Sequence, residues 1–324
     1  MSAQDDSLRP EEFAEAAFAV IENALGKPAS ETAQLLAEAG LMGVCVPEAQ
    51  GGLGLDIAFA VPLAHAAGKL RFQFPLIEQV LLAKALAGTP QGELLATGEK
   101  LAGIAFQGQL TQGWVGGARH ANLCDWVLVF EGQEAVLVSL SDVSIEEDQS
   151  LDPDYPQHWL DARNAPVILR IDAAKCEALW RDAQILMSAC VHGAAEGALE
   201  DTVSYLSTRV QFGRPLTAKQ AVRHTFSRMK LAQEATAAAI QRVLSTNEFG
   251  QVRTVGAVLG SAIQNATWVI EKAIHLQGGM GFTWDVPLHY ALREVRKMEA
   301  MLGSSELPIA TGREWIEVNS CTQH

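Results

Sequence analysis

The chain has 324 residues, 48% of them apolar and 19% charged, with a net charge of −14. That apolar content can fill two or three domain cores, and the acidic balance argues against a nucleic-acid partner. No run nears ~18 uncharged apolar residues and the opening Met1-Ser2-Ala3-Gln4-Asp5-Asp6 is acidic, so neither a membrane span nor an export signal is expected, and the expected home is the cytoplasm.

From Arg9 to about Pro90 apolar residues recur at three and four. Phe13, Ala17, Val20 and Ala24 share one face of a helix entered through Pro10 and closed by Gly26. Residues 1–98 therefore read as a helical domain. Between Lys100 and Ile171 the texture changes to short runs, Trp126-Val127-Leu128-Val129-Phe130 and Ala135-Val136-Leu137-Val138, broken by Glu131-Gly132-Gln133-Glu134 in the manner of a hairpin. Residues 99–173 read as a small β domain. Helical spacing returns from Lys175, with Ala195, Leu199, Val203, Leu206 and Val210 on one stripe and Val255, Leu259, Ala262, Ala266, Val269, Ala273 and Leu276 on another. A further helix follows Pro287, with Leu288, Leu292, Val295, Met298 and Leu302 on its apolar face. Residues 174–324 thus read as an antiparallel four-helix bundle, in a chain that is mainly α with a small β domain.

Several local signals have plain explanations. Gly51-Gly52-Leu53-Gly54-Leu55 lacks the strand and βαβ unit of a dinucleotide loop and reads as a turn between helices. The acidic run Glu146-Glu147-Asp148 reads as a solvated loop. Five scattered cysteines (Cys45, Cys124, Cys176, Cys190 and Cys321) fit reduced thiols, with Cys190 in an apolar helical run as core. The eight histidines include no pair at helical spacing, so no metal is expected, and His192 reads as a core or interface residue. Arg209, Arg214, Arg223 and Arg228 form a local basic cluster that could hold a small polyanion. Arg209 also suits the last turn of a helix, Gly213-Arg214-Pro215 suits a helix stop, and Gly278-Gly279 suits a turn that needs positive φ.

Arg209-Val210-Gln211-Phe212-Gly213-Arg214-Pro215, with Gln277-Gly278-Gly279-Met280-Gly281-Phe282 downstream and Leu36 to Gly54 upstream, resembles the acyl-CoA dehydrogenase family across most of the chain. The resemblance implies that family's layout: an N-terminal helical domain, a middle β-barrel and a C-terminal four-helix bundle. It also implies FAD contacts. The family's R-x-x-F-G arginine and phenylalanine, a glutamine some eleven residues on, and a Q-x-x-G-G loop correspond here to Arg209, Phe212, Gln220, His275, Gly278 and Gly279, with histidine replacing the glutamine at 275. A guanidinium fork would neutralise the diphosphate, an aromatic face would pack on adenine, and the glycines would let backbone N–H groups approach phosphate oxygens.

The departures from the family fall at its chemistry. Desaturation of an acyl-CoA needs a base for the α-proton while hydride leaves the β-carbon for the flavin. The family's E-G-T-S-E glutamate, aligned through Arg293-Glu294-Val295-Arg296, falls at Leu302, and the alternative base position falls at Ala183. Asp182 is a fallback base, although one residue turns a helical side chain by ~100°. Ala105-Phe106-Gln107-Gly108-Gln109-Leu110 and Trp114-Val115-Gly116-Gly117 stand where the family carries T-E-P-x-x-G-S-D and W-x-T, and neither motif is recognisable.

In dimeric members the two C-terminal loops reach across to the FAD of the neighbouring subunit. The resemblance therefore implies the short, base-less subunit of a heterotetrameric bacterial acyl-CoA dehydrogenase, with no catalytic residue of its own. A longer subunit would supply the base, a steroid side-chain CoA would be the substrate, and an electron-transfer flavoprotein the acceptor. Two alternatives stand beside it: a self-sufficient homodimer whose base is Asp182 or Glu306, and a non-catalytic scaffold.

Overall fold

The computed structural model describes residues 9–149, 152–246, 250, 253–304 and 306–320. The Met1 to Asp6 opening, Ser305 and Cys321 lie outside these. Pro10 stands at the first position of α1 (Pro10–Asn23), where its missing N–H costs nothing, and Gly26 takes a φ of 71° beyond its end. Four more helices follow: α2 (Ala29–Glu38), α3 (Ile57–Lys69), α4 (Leu76–Ala85) and α5 (Pro90–Ala96). Asp56 caps α3 by accepting from the Ala58 N–H, and Thr89 caps α5 by accepting from the Gly92 N–H. Gly51, at φ 84°, lies in the connection between α2 and α3, where the glycine-rich run predicts a turn.

The strands are β1 (Ala102–Gly108), β2 (Trp114–Ala118), β3 (Trp126–Glu131), β4 (Glu134–Ser139), β5 (Ser144–Asp148), β6 (Gln157–Asp161) and β7 (Val167–Ile171). They form one sheet in the order β5-β6-β2-β1-β3-β4-β7, with β1 and β3 parallel and every other pair antiparallel. The expected hairpin is β3 and β4, paired from Trp126↔Ser139 to Glu131↔Glu134. One face surrounds a small core of its own, including Val115, Val127, Val129, Val136, Val138 and Leu160, while Leu128 and Leu137 on the other face join the main core. Glu146-Glu147-Asp148 is solvated as expected but is not a loop. It forms most of β5, and charge on an exposed edge strand discourages pairing with another chain.

Asp172 accepts from the Lys175 N–H and starts α6 (Ala173–Thr208), which at 1.5 Å per residue spans about 54 Å. The bundle continues with α7 (Gln220–Leu244), α8 (Gly256–Leu276) and α9 (Leu288–Leu302), and α10 (Leu307–Ser320) packs on α8. Between α6 and α7 lies a two-stranded ribbon, β8 (Val210–Gln211) with β9 (Arg214–Pro215). Val210 is therefore not the end of the α6 stripe. It sits in the ribbon and is exposed, as is Val203.

Candidate functional site

Phe212 and Gly213 turn the ribbon with φ of 54° and 75°, the left-handed pair that a two-residue hairpin requires. The turn throws the Phe212 ring into solvent, 93% exposed, with Lys219 Nζ 5.0 Å from its centroid. Arg209 and Arg214 are exposed, and neither guanidinium has an ion pair or hydrogen bond among the described residues. Gln220 opens α7, whose N-terminus has no side-chain cap, so its first N–H groups add to the positive potential left by the free arginines.

The second loop lies at the same end of the bundle. Gln277, which follows the last residue of α8, is buried and donates through Nε2 to Thr202 Oγ1 at 3.1 Å, tying this turn to the last stretch of α6. Beyond it Gly278 takes a φ of 64°, and around both Gly278 and Gly279 the space is open where a side chain would begin. His275, before this turn, is exposed. Six residues from three helix ends, Arg209, Phe212, Gln220, His275, Gly278 and Gly279, thus gather at one end of the bundle, where Phe282 (76% exposed) and Trp284 (62%) also stand out. Gln277 holds this turn in place and is not among the candidate residues read from the sequence. It sits inside the glycine loop motif, but its partner is 75 positions away.

The base positions show the opposite environment. Ala183 is wholly buried and Leu302 is 5% exposed, both within the main apolar core. The sheet closes directly onto the end of α9: Gln107 Nε2 donates to the Ala300 carbonyl at 2.8 Å, and a side chain on Gly117 would begin 2.9 Å from Met301 Cγ. Asp182 is buried and committed elsewhere, its Oδ2 accepting from Lys84 Nζ at 2.5 Å with Arg181 Nη1 3.8 Å from its other oxygen. Glu306 is exposed between α9 and α10.

Two further clusters emerge only in three dimensions. Between the three layers runs a buried ionic chain: Glu78 Oε1 to Arg119 Nε (3.1 Å), Arg119 Nη1 to Glu294 Oε1 (2.8 Å), Glu294 Oε2 to Lys297 Nζ (2.7 Å) and Lys297 Nζ to Asp152 Oδ2 (3.2 Å). Burial would raise the Glu294 carboxyl, but Arg119 and Lys297 outweigh it and hold it at about 2. Burial raises Glu78 despite Arg119, and burial with Arg119 beside it pushes His120 down to about 3. Arg119, Glu294 and Lys297 line a cavity of about 240 Å³ together with His120 and His158. The second cluster is His65 on α3 with His192 and Glu196 on α6. His65 Nε2 lies 2.7 Å from Glu196 Oε2, which holds that carboxyl well below the usual range, and burial lowers His192 to about 4. Histidine spacing along the sequence does not reveal this cluster, because His65 and His192 meet only through the fold.

Residues 176–316 match the family model described as "Acyl-CoA dehydrogenase, C-terminal domain". The bundle belongs to the acyl-CoA dehydrogenase family. Over a longer span, the chain is 28% identical over 285 residues to the acyl-CoA dehydrogenase FadE34 of Mycobacterium tuberculosis, covering 83% of this chain but only 40% of that protein. It therefore spans less than half the length of that relative. Solved acyl-CoA dehydrogenase folds superpose along almost the whole chain. The Tcur3481–Tcur3483 steroid ACAD gives a TM-score of 0.79 at 23% identity, covering 96% of this chain and 98% of that one. The ChsE4–ChsE5 complex from Mycobacterium tuberculosis gives 0.77 at 20% identity, covering 97% and 99%. The helical layer, sheet and bundle are thus the three parts of an acyl-CoA dehydrogenase fold, as the sequence resemblance implied.

Proposed function

We propose that this chain is the base-less subunit of a heteromeric, FAD-dependent acyl-CoA dehydrogenase, and that it completes the flavin site of a longer partner subunit. One observation carries the reading: the six candidate cofactor residues are gathered and exposed at one end of the bundle, while both base positions are sealed in core. Arg209 has the free guanidinium a diphosphate needs, and the uncapped start of α7 adds N–H donors beside it. The open space at Gly278 and Gly279 admits close approach of phosphate oxygens to backbone. FAD, when bound, accepts the hydride in such a desaturation.

The closed contact of Gln107 and Gly117 with the end of α9 supports the other half of the proposal, that proton abstraction is the partner's task. A steroid side-chain CoA is the proposed substrate class, on the likeness to the steroid ACAD. Co-expression with a longer homologue and measurement of flavin absorbance in the purified complex tests the whole. The isolated chain should carry no flavin, the complex should carry it, and Arg209→Ala should strip it from the complex without dissociating the subunits. An isolated chain that binds one FAD and oxidises an acyl-CoA would overturn the proposal.

A further inference from the structure

Roughly 25 Å along α6 from Arg209, at 1.5 Å per residue, α3 crosses the helix at backbone contact. A Cβ added to Gly68 would lie 1.9 Å from the Cys190 carbonyl oxygen, and one added to Gly193 would lie 2.0 Å from the His65 carbonyl oxygen. Only glycines allow this approach, and the approach fixes His65 opposite His192 and Glu196. The latter pair, four apart on α6, share a helical face.

One nitrogen of each imidazole and a carboxylate oxygen lie within 4.8 Å of one another. The two rings face each other with centroids 5.1 Å apart and planes tilted by 51°. Nδ1 of His192 is buried and has no hydrogen-bond partner among the described residues. A cavity of about 190 Å³, lined by Pro10, Ala14, Ile240 and both imidazoles, opens beside them. We propose that His65, His192 and Glu196 hold a divalent first-row transition ion of the zinc class, clamping the N-terminal helical layer to the bundle.

Two imidazoles and one carboxylate are a donor set for zinc and its neighbours, whereas calcium and magnesium call for oxygen ligands throughout. Bonds of about 2.0–2.2 Å in a tetrahedral site place ligand atoms roughly 3.3–3.5 Å apart. The 2.7 Å contact must therefore open and the longest separation must close, both within reach of side-chain torsions. Both imidazoles line the cavity, which has room for a water as a further ligand. Lys69 is the competing cation, 3.4 Å from Glu196 Oε1, and its contact with Glu200 at 2.8 Å offers it a place to stay when the carboxylate turns to metal.

The test uses the full chain, stripped of metal and titrated with Zn²⁺ by calorimetry and with Co²⁺ by visible absorption. One equivalent should bind, Co²⁺ should show ligand-field bands without thiolate charge transfer, and Zn²⁺ should raise the thermal midpoint. His192→Gln and Glu196→Gln, checked for folding by circular dichroism, should each weaken binding at least ~10-fold and lose that rise. His224→Gln, on an exposed part of α7, should bind as wild type. Absence of stoichiometric binding, equal binding by the site variants, or a thiolate band would overturn the proposal.

Discussion

Replacing Phe212 with alanine separates a residue that serves this chain from one that serves an assembly. The ring is 93% exposed, so its removal takes almost no apolar surface out of the folded chain's interior. Within the chain, truncation removes the Lys219 ammonium's attraction to the ring at 5.0 Å, worth about 0.5–1 kcal/mol at an exposed site. Alanine meets the same demand at φ 54° as phenylalanine, so the turn is not relieved. If the ring is buried against FAD and the partner, truncation costs the complex roughly 1.5–3 kcal/mol, or roughly a 10- to 100-fold loss of flavin affinity. Thermal unfolding of the isolated chain reads the first quantity, and flavin fluorescence quenching on titrating the apo-complex reads the second. Unchanged flavin affinity, or a loss of chain stability matching the loss of affinity, would refute the assignment of Phe212 to a shared site.

Gly193→Ala forces apart two helix backbones, since the added carbon would sit 2.0 Å from a carbonyl oxygen, and should cost about 1–3 kcal/mol or more in a urea melt; an unaltered midpoint would show the crossing to be loose. Leu302→Glu restores the family's residue type but puts a carboxylate in core, so it should destabilise the chain by several kcal/mol and give no acyl-CoA oxidation by the isolated chain; activity there would show that only the base was missing. Stability should fall on acidification. His120, lowered from 6.5 to about 3, contributes above pH 6.5 and loses that contribution as pH drops toward 3. Glu294, lowered from 4.5 to about 2, adds a loss below pH 4.5, and the raised Glu78 opposes it. Unfolding midpoints against pH should therefore decline from about 6.5 downward, less steeply in His120→Gln; identical profiles would remove His120 as the cause.

Elements whose burial follows a strict period are legible in the sequence. α8 and α9 keep their apolar residues on one stripe because one face of each meets the bundle, and β3 with β4 read as a hairpin because both runs are buried and joined by two residues. The end of α6 is misplaced at Val210 by its periodicity, since apolar spacing continues for one turn into a ribbon whose hydrophobic residues are exposed. β5 is hidden because an edge strand with both faces wet has no alternation to detect. Among the candidate residues, Arg209, Phe212 and the glycine pair are visible as local motifs. Gln277, the Arg119–Glu294–Lys297 chain and the His65–His192–Glu196 cluster are not, because each depends on partners tens or hundreds of residues away.

The two ends of the bundle argue for the same division of labour by opposite means. At the ribbon end, an arginine without an ion pair, an outward aromatic approached by the Lys219 ammonium and a helix start without a side-chain cap all face solvent among the described residues. At the far end of α9 the reverse holds: Gln107 satisfies the Ala300 carbonyl, Gly117 meets Met301, and Leu302 fills core. A chain with its own complete active site would need space and a proton acceptor where this one is packed. A pure scaffold would gain nothing from glycines and arginines held open at the surface. The proposed base-less subunit accounts for both features together, and the packing that fills the base position also anchors the sheet to the bundle that presents the loops.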